Sequence, residues 1–305
     1  MGNYHVPFWR AVALVRESLT LLLVMGATGN VGSQVVKQLA DTGANVRAAV
    51  RSPRKAESLK SERVSLTEFD TDKPETVEAA FQGVDKVFLL TPLVPNMVEL
   101  SANLVAAAKK AGVKHIIKSS GMGAEVEPGI TLTRWHREAE KAIEASGIAF
   151  TFVRSNGFMQ NYANFNGATI KTQNTFYLPL GDGKVSYIDT RDIAAVAVAA
   201  LTQDGHEGKA YEVTGLEAIY NQEIAEIISQ VVGRKINYVD VPEDAARSEM
   251  KQSGMPDVLI DLTMKLYEIY KAGYASEVTP TVEQIIGKKP ISFAQFANDY
   301  AEAFK

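Results

Sequence analysis

The fold is decided by Leu21-Leu-Leu-Val-Met-Gly-Ala-Thr-Gly-Asn-Val-Gly32, an apolar run followed by three glycines at intervals of three, after which a helical pattern begins. The apolar run predicts a strand buried on both faces. Gly26 would allow a sharp turn, Gly29 would let backbone approach a pyrophosphate, and Gly32 would let the next helix pack closely on the strand. The amides that start this helix would face the phosphates. Because a strand and a helix flank the glycines, the stretch predicts dinucleotide binding rather than a glycine-rich turn without a ligand.

Composition narrows the possible functions. The chain has 305 residues, enough for one large domain or two small ones, and its net charge of −4 gives no reason to expect nucleic acid or a membrane surface as a partner. The absence of cysteine excludes disulfides, thiolate metal sites and a cysteine nucleophile. The four histidines are widely separated, so we expect no metal site. No apolar run approaches the ~20 residues that cross a bilayer, and we expect a cytoplasmic protein.

Residues 1–19 precede the first predicted strand by more than a dinucleotide-binding chain usually needs. We interpret them as an N-terminal extension, either a surface helix or an extended reading frame. A signal peptide is disfavoured, because the strongest apolar run is the strand itself and no small-residue cleavage site follows it.

Strands and helices alternate through the first half of the chain, which is typical of right-handed crossover units in a parallel sheet. The predicted strands lie at about 20–25, 45–50, 64–70, 84–90, 113–118 and 150–154, with a seventh at 210–214. The last third is mostly helical in pattern. We therefore divide the chain into an extension (1–19), a cofactor-binding core (20–155, with later contributions from about 185–215) and a mainly substrate-binding lobe (156–305).

The residue that follows the second strand distinguishes two cofactors. A carboxylate about 20 residues beyond the glycines binds the ribose 2′-hydroxyl of NAD. This sequence instead has Arg51 there, with Arg54 and Lys55 close behind. Because arginine binds a phosphate bidentately, we predict NADP(H) rather than NAD(H). The alternative is a solvated basic loop at the start of a helix.

Several motifs together resemble the NmrA-like family, whose members are atypical short-chain dehydrogenases/reductases. They lie at 26–32, 50–56, 136–141, 153–161 and 187–193. The segment 287–296 resembles the branch that contains NADPH quinone reductases and triphenylmethane dye reductases. The resemblance runs from about residue 20 to 304. It implies an α/β fold, with a doubly wound parallel Rossmann sheet and a smaller, mostly helical C-terminal substrate lobe.

The resemblance also implies contacts to the cofactor. Arg51 would bind the 2′-phosphate, Asp70 would lie near adenine, and Thr91 would lie near the nicotinamide ribose. Ser119 and Ser120 would lie beside the nicotinamide. The residues that would wrap the diphosphate are Gly26, Thr28, Gly29, Asn30 and Val31, and those of the loop bordering the nicotinamide are Asn156, Gly157 and Phe158.

The usual acid–base pair of the superfamily is missing. Ordinary members carry Tyr-x-x-x-Lys on the helix after strand five, whereas this chain has His136-Arg-Glu-Ala-Glu140, with Lys141 one position off the lysine slot. Either His136 replaces the tyrosine as a proton donor or substrate contact, for which its unperturbed pKa near 6.5 is suited, or it only packs and Glu140 serves the fold. Ser120 is either a remnant of the superfamily's catalytic serine or an ordinary strand-end serine.

Three further groups leave alternatives open. One group either lines a pocket or packs in the core, and it consists of Phe158, Met159 and Tyr162. A polar group at a helix start is interpreted as an N-cap with ion pairs, and it consists of Tyr187, Asp189, Arg191 and Asp192. A methionine group is interpreted as core rather than as an adaptable substrate wall, and it consists of Met250, Met255 and Met264.

Two functions fit these features. The first is an NADPH-dependent reductase of quinone-like or other planar redox-active acceptors, which need little acid catalysis because they are already activated. The second is a non-catalytic NADP(H)-binding redox sensor of NmrA type that signals to a protein partner. The missing tyrosine favours the sensor and disfavours a sugar-nucleotide epimerase or dehydratase, but the C-terminal resemblance favours the reductase, which we prefer. We expect a monomer or homodimer that acts on a small planar molecule.

Overall fold

The computed structural model describes residues 20–305, so the predicted extension at 1–19 lies outside the described residues. The strands are β1 (Leu21–Val24), β2 (Asn45–Val50), β3 (Val64–Glu68), β4 (Lys86–Leu89), β5 (His115–Gly121), β6 (Ala149–Ser155), β7 (Thr175–Leu178), β8 (Lys209–Val213) and β9 (Asn237–Asp240). Seven of them form a parallel sheet in the order β3-β2-β1-β4-β5-β6-β8, which confirms the predicted α/β architecture.

Helices alternate with these strands and then dominate the C-terminal third. They are α1 (Gly32–Asp41), α2 (Pro74–Phe81), α3 (Met97–Lys110), α4 (Thr131–Ser146), α5 (Gly167–Gln173), α6 (Thr190–Thr202), α7 (Asn221–Val232), α8 (Glu243–Gln252), α9 (Asp257–Lys271), α10 (Thr281–Ile286) and α11 (Phe293–Asp299). Asp189 caps α6 by accepting a hydrogen bond from the Arg191 amide at 2.8 Å, in agreement with the predicted N-cap.

The sheet is covered on both faces. Val35 and Leu39 of α1 pack with Ile193 of α6 and Val282 of α10 on one face. Phe81, Leu104 and Ile143, from α2, α3 and α4, pack on the other face. Burial on both sides explains why the strands are continuous apolar runs rather than alternating ones.

The strand order reverses between β1 and β4, since β1 leads outward to β2 and β3 on one side and to β4, β5 and β6 on the other. In open parallel sheets, ligands bind outside the carboxyl ends of the strands at such a switch point. The fold therefore places the binding crevice above the loops that follow β1, β4, β5 and β6.

A second core supports the C-terminal lobe. The strands β7 and β9 form a separate parallel pair, and α5, α7 and α11 pack around it. Met159 and Tyr162 are buried in this core, whereas Phe158 is only partly buried. The three methionines lie with Ile260 in a small core between α8 and α9, so the core interpretation of that group agrees with the structure.

Two general features of residues 20–305 bear on function. None of the helices in this part of the chain is long and apolar enough to cross a membrane. Within the same residues, no cluster of three or more histidine, aspartate or glutamate side chains is arranged to hold a metal ion.

Candidate functional site

The three glycines of the first loop, Gly26, Gly29 and Gly32, are required for different structural reasons. Gly26 has a φ of +63°, which favours glycine because other residues are strained there. A Cβ at Gly32 would lie 2.2 Å from the Gly26 carbonyl oxygen, so only glycine fits where α1 meets the loop. A Cβ at Gly29 would approach only that same oxygen, at 3.3 Å, and its outer side is open. Gly29 is therefore the position of the three that leaves space for a ligand beside the backbone.

The start of α1 presents free hydrogen-bond donors. Among residues 20–305, no acceptor bonds the backbone amides of Asn30, Val31 and Gly32. Thr28, Gly29 and Asn30 are exposed, while Val31 is buried in the core. Unpaired amides and the positive end of the helix dipole suit an anion, so this loop fits the diphosphate of a dinucleotide.

Replacing Gly32 with alanine is expected to separate packing from ligand binding at this loop. The added Cβ would meet a backbone oxygen, so we expect the free energy of unfolding to fall by about 3 kcal/mol. Gly29→Ala is the matched control, for which we expect a small loss of stability but weakened cofactor binding. Urea unfolding and cofactor titration measure the two effects. Equal stability of the two variants would contradict this account.

Three cations after β2 have no partners within the described chain. Arg51, Arg54 and Lys55 are exposed, and no ion pair or side-chain hydrogen bond involves them among residues 20–305. In contrast, Arg47 on the same strand donates to the carbonyl oxygens of Ala80 and Gln82, at 2.9 and 2.7 Å. The cluster at Arg51 is thus free to bind an external phosphate.

Asp70 and Thr91 occupy the loops predicted for them. Asp70 lies two residues beyond β3, and its Oδ1 accepts a hydrogen bond from the Asp72 amide at 3.1 Å. Thr91 is buried after β4, with its hydroxyl 3.2 Å from that of Ser101. Their contacts with adenine and nicotinamide ribose stay predictions.

A cavity of about 840 Å³ opens above the carboxyl ends of β4, β5 and β6, with α9 on its opposite side. Its lining brings together seven residues that the sequence predicted for the site: Thr91, Ser119, Ser120, His136, Asn156, Gly157 and Phe158. The glycine loop, Arg51 and Asp70 are not part of this lining. The predicted site residues thus divide into an outer set along the sheet edge and an inner set around one cavity.

His136 forms part of the cavity wall. Its ring packs against the end of β5, where a Cβ at Gly121 would lie 3.0 Å from the ring's Cδ2. Burial, with a smaller contribution from Lys118, lowers the pKa of His136 well below 6.5. The ordinary histidine pKa therefore does not apply at this position, and His136 is a neutral imidazole at neutral pH.

Lys118 is a polar residue of the site that the sequence reasoning missed. It lies in the middle of β5 with no exposed surface, and its Nζ donates to the Ser119 carbonyl oxygen at 2.8 Å. The same Nζ lies 3.3 Å from Nδ1 of His136. Burial lowers the pKa of Lys118 to about 8. The signal in the sequence was a lysine directly after two isoleucines in the middle of a central strand, because lysine is almost never fully buried unless it is paired.

Ser120 lies one step further along β5 and is part of a buried ionic network. Its hydroxyl donates to Oε1 of Glu140 at 2.7 Å. Arg154 donates to both oxygens of the same carboxylate, at 3.0 and 2.7 Å, and also reaches Glu125 at 2.8 Å. Glu140 of α4 thus joins β5 and β6 through Ser120 and Arg154. The Ser120 hydroxyl donates its one proton to Glu140, so it is not free to donate to a substrate in this arrangement. A catalytic role for Ser120 stays a prediction.

The loop after β6 is held by Asn156. Its Nδ2 donates to Ser186 Oγ and to the Ala275 carbonyl oxygen, at 2.8 and 2.9 Å, while its Oδ1 accepts from the Gly157 amide. Gly157 is required by close packing, because a Cβ there would lie 2.6 Å from the Tyr270 hydroxyl. This leaves Phe158 as the residue of the loop that offers an apolar surface to the cavity.

A doubly wound parallel sheet, a glycine loop with free amides and a nearby cavity define a dinucleotide-binding protein of the Rossmann type. The model of the NmrA-like family matches residues 19–295, and the chain belongs to this family. The predicted family is thereby confirmed.

Relatives of known activity cover almost the whole chain. The NAD(P)H azoreductase of Xenophilus azovorans is 43% identical over 93% of this chain and 99% of its own length. The NADPH-dependent quinone oxidoreductase of Escherichia coli, solved with NADPH, superimposes with a TM-score of 0.82 at 28% identity, covering 92% of this chain and 99% of that one. The triphenylmethane reductase of Citrobacter sp. does so with a TM-score of 0.82 at 27% identity, covering 93% and 99%.

Proposed function

We propose that this protein is an NADPH-dependent reductase of quinone-like and other planar redox-active acceptors. The observation that carries the proposal is the cavity of about 840 Å³, which adjoins the cofactor crevice and is lined largely by apolar side chains. The azoreductase, quinone oxidoreductase and triphenylmethane reductase relatives act on acceptors of this kind and support it.

The residues of the outer set fit NADPH. The free amides at the start of α1 would bind the diphosphate, and the unpartnered Arg51 would bind the 2′-phosphate. Thr91 and Ser119 would contact the nicotinamide half in the cavity, and Asp70 would contact adenine. The cofactor supplies a hydride from its nicotinamide ring.

The cavity lining indicates which acceptors fit. Its charged side chains are Glu212 and Glu277, and no lysine or arginine lines it within the described chain. Phe158, Leu266 and Tyr270 offer apolar and aromatic surface for a flat molecule. We therefore expect uncharged or cationic planar acceptors to be preferred over sulfonated ones, which the two carboxylates would repel.

His136 is the proposed catalytic contact. A neutral imidazole keeps one N–H donor, which stabilises an oxyanion that develops on the acceptor during reduction. Ser120 would act indirectly in this proposal, by holding Glu140 beside the reacting end of β5.

The sensor alternative is less favoured. The relatives described above are reductases, one of them 43% identical, and the cavity gives an acceptor a place to bind. We also propose a cytoplasmic protein that acts as a monomer or homodimer on a small molecule. The chain division at residue 155 is proposed to separate the cofactor-binding core from the substrate lobe.

The proposal is tested by mixing the purified protein with NADPH and a panel of acceptors. The panel contains an uncharged naphthoquinone, its sulfonated counterpart, a cationic triarylmethane dye and an azo dye, each repeated with NADH. Oxidation of NADPH with the uncharged or cationic acceptors is the expected result. Tight NADPH binding without turnover on any acceptor would refute the reductase and favour the sensor.

Replacing His136 with alanine is expected to lower kcat for quinone reduction by about 10- to 100-fold, since it removes a hydrogen-bond donor to the developing oxyanion. The KM should change less. His206→Gln is the control, because His206 bonds Tyr211 and does not line the cavity. Steady-state kinetics measure both variants. An unchanged rate for the alanine variant would remove His136 from the mechanism.

A further inference from the structure

We propose that Lys118 is the positioning and proton-supplying residue for His136, so that a buried Lys118–His136 pair replaces the missing Tyr-x-x-x-Lys pair. The inference rests on the proposed reductase function and adds a residue and a proton path to it. The packing of α4 against β5 brings the two residues together from positions 18 apart along the chain.

The geometry defines which ring nitrogen faces which partner. The Nζ of Lys118 lies 3.3 Å from Nδ1 of His136, while Nε2 lies 3.4 Å from the position of a Cβ at Gly121, on the wall of the cavity. An ammonium group only donates hydrogen bonds, so Nδ1 must accept. The ring proton is therefore on Nε2, at the cavity side.

This tautomer can pass a proton to a reduced quinone. A quinone that has taken up a hydride is a hydroquinone anion and needs one proton. The Nε2–H bond breaks as the O–H bond forms on the acceptor, while Nδ1 takes a proton from Nζ of Lys118. Lys118 becomes a neutral amine at this point. Water then gives one proton to Nε2, and Nδ1 returns its proton to Lys118, which restores the starting state. A cationic triarylmethane dye becomes neutral on taking up a hydride, so it needs no proton from this pair.

The surroundings of Lys118 support its role as a proton donor near neutral pH. Its neighbours in register on β4 and β6 are the uncharged Leu89 and Phe152. From α4 it faces His136 and the carboxylate of Glu140, which lies beside Arg137. From β6, Arg154 binds Glu140.

Because Arg154 and Ser120 already neutralise or bond Glu140, burial outweighs its attraction for the ammonium. The pKa of Lys118 falls to about 8, close to the pH at which a general acid works best. Lys118 is thus charged at neutral pH but holds its proton less strongly than an exposed lysine.

The first test reads the tautomer directly, without turnover. Nitrogen-15 NMR of histidine-labelled protein gives the protonation of each ring nitrogen, and His136→Gln identifies the His136 signals. We expect the Nε2–H tautomer in the wild type, with an Nδ1 shift that changes near pH 8 as Lys118 deprotonates. Lys118→Met should give a mixture of tautomers and no such change. An Nδ1–H tautomer in the wild type, or identical spectra of the two proteins, would overturn the proposal.

The second test compares an acceptor that needs a proton with one that does not. For the quinone, kcat should fall as pH rises through about 8, because the ammonium form is required. Lys118→Met should abolish this pH dependence and lower kcat with the quinone by about tenfold. With the cationic dye, the same variant should lower kcat by less than about threefold. Lys110→Met, an exposed lysine paired with Glu78, is the matched control.

A third variant separates positioning from proton supply and guards against misfolding. Lys118→Gln keeps an N–H donor toward Nδ1 but has no ionisable proton, so it should retain the tautomer and lose the pH dependence. Equal losses on both acceptors in both Lys118 variants would mean that Lys118 is only structural. Absence of turnover with any acceptor in the wild type would instead refute the reductase function. The NMR experiment would still show whether Lys118 sets the tautomer of His136.

Discussion

Glu140→Ala is expected to be among the most destabilising single substitutions in this protein, with a loss of about 3–5 kcal/mol in the free energy of unfolding. The Glu140 carboxylate has no exposed surface and binds Arg154, whose side chain is 3% exposed. Removing the carboxylate leaves the Arg154 guanidinium buried with Glu125 as its remaining acidic partner, and leaves the Ser120 hydroxyl without its acceptor. Urea unfolding, with an unchanged m-value, measures the loss.

The control for this prediction is Glu144→Ala. Glu144 lies one turn further along α4 and pairs with Arg137 near the surface, where an ion pair contributes only about 0–1 kcal/mol. Glu140→Gln should fall between the two, since an amide oxygen can still accept from Ser120. If the two alanine variants were equally stable, the network would not be holding β5, β6 and α4 together.

Arg51→Asp is expected to weaken NADPH binding by roughly 100-fold while changing NADH binding by less than about threefold. In the proposed complex, the substitution would remove a charge-assisted hydrogen bond to the 2′-phosphate and place a like charge beside it. NADH has no phosphate at that position, so neither effect should change its affinity. Titration of each cofactor followed by protein fluorescence or calorimetry gives the two dissociation constants.

Arg63→Asp is the matched control for charge. Arg63 is an exposed cation just before β3, at the amino end of the parallel strands, whereas Arg51 lies at their carboxyl end. The substitution changes the net charge by the same amount. It should leave both affinities within about twofold at physiological salt, since exposed charges further apart than about 8 Å are largely screened. Equal weakening of NADPH and NADH by Arg51→Asp would show that Arg51 does not bind the 2′-phosphate.

The inner site gives a physical reason why this chain can lack the tyrosine of the superfamily and still reduce activated acceptors. A tyrosine needs a nearby lysine to lower its pKa before it can give up a proton. In this chain the lysine comes from β5 instead of α4, and burial lowers the pKa of His136 so that it stays neutral. We infer that the donor to the acceptor is an uncharged N–H group, with the positive charge kept one step behind it on Lys118.

Some of the site was predictable because it depends on local order along the chain. The apolar run, the glycine spacing and the helix that follows lie within a few residues of each other, so their geometry is set by short-range sterics. Arg51 was predictable for a related reason. A parallel sheet fixes which end of β2 faces the ligand, and the residue just after the strand must lie there.

The sequence by itself therefore determined the fold class, the family and the positions of the outer set of residues, which we propose bind the cofactor. Only the tertiary structure decided the pairings around the inner set: that Lys118 faces His136, that Ser120 and Arg154 bind Glu140, and that Asn156 bonds the Ala275 carbonyl 119 positions away. These pairings join different strands, helices and loops, so the spacing of residues along the sequence does not predict them. The lowered pKa values of His136 and Lys118 follow from the same cause, because desolvation exists only once β5 and α4 have packed together.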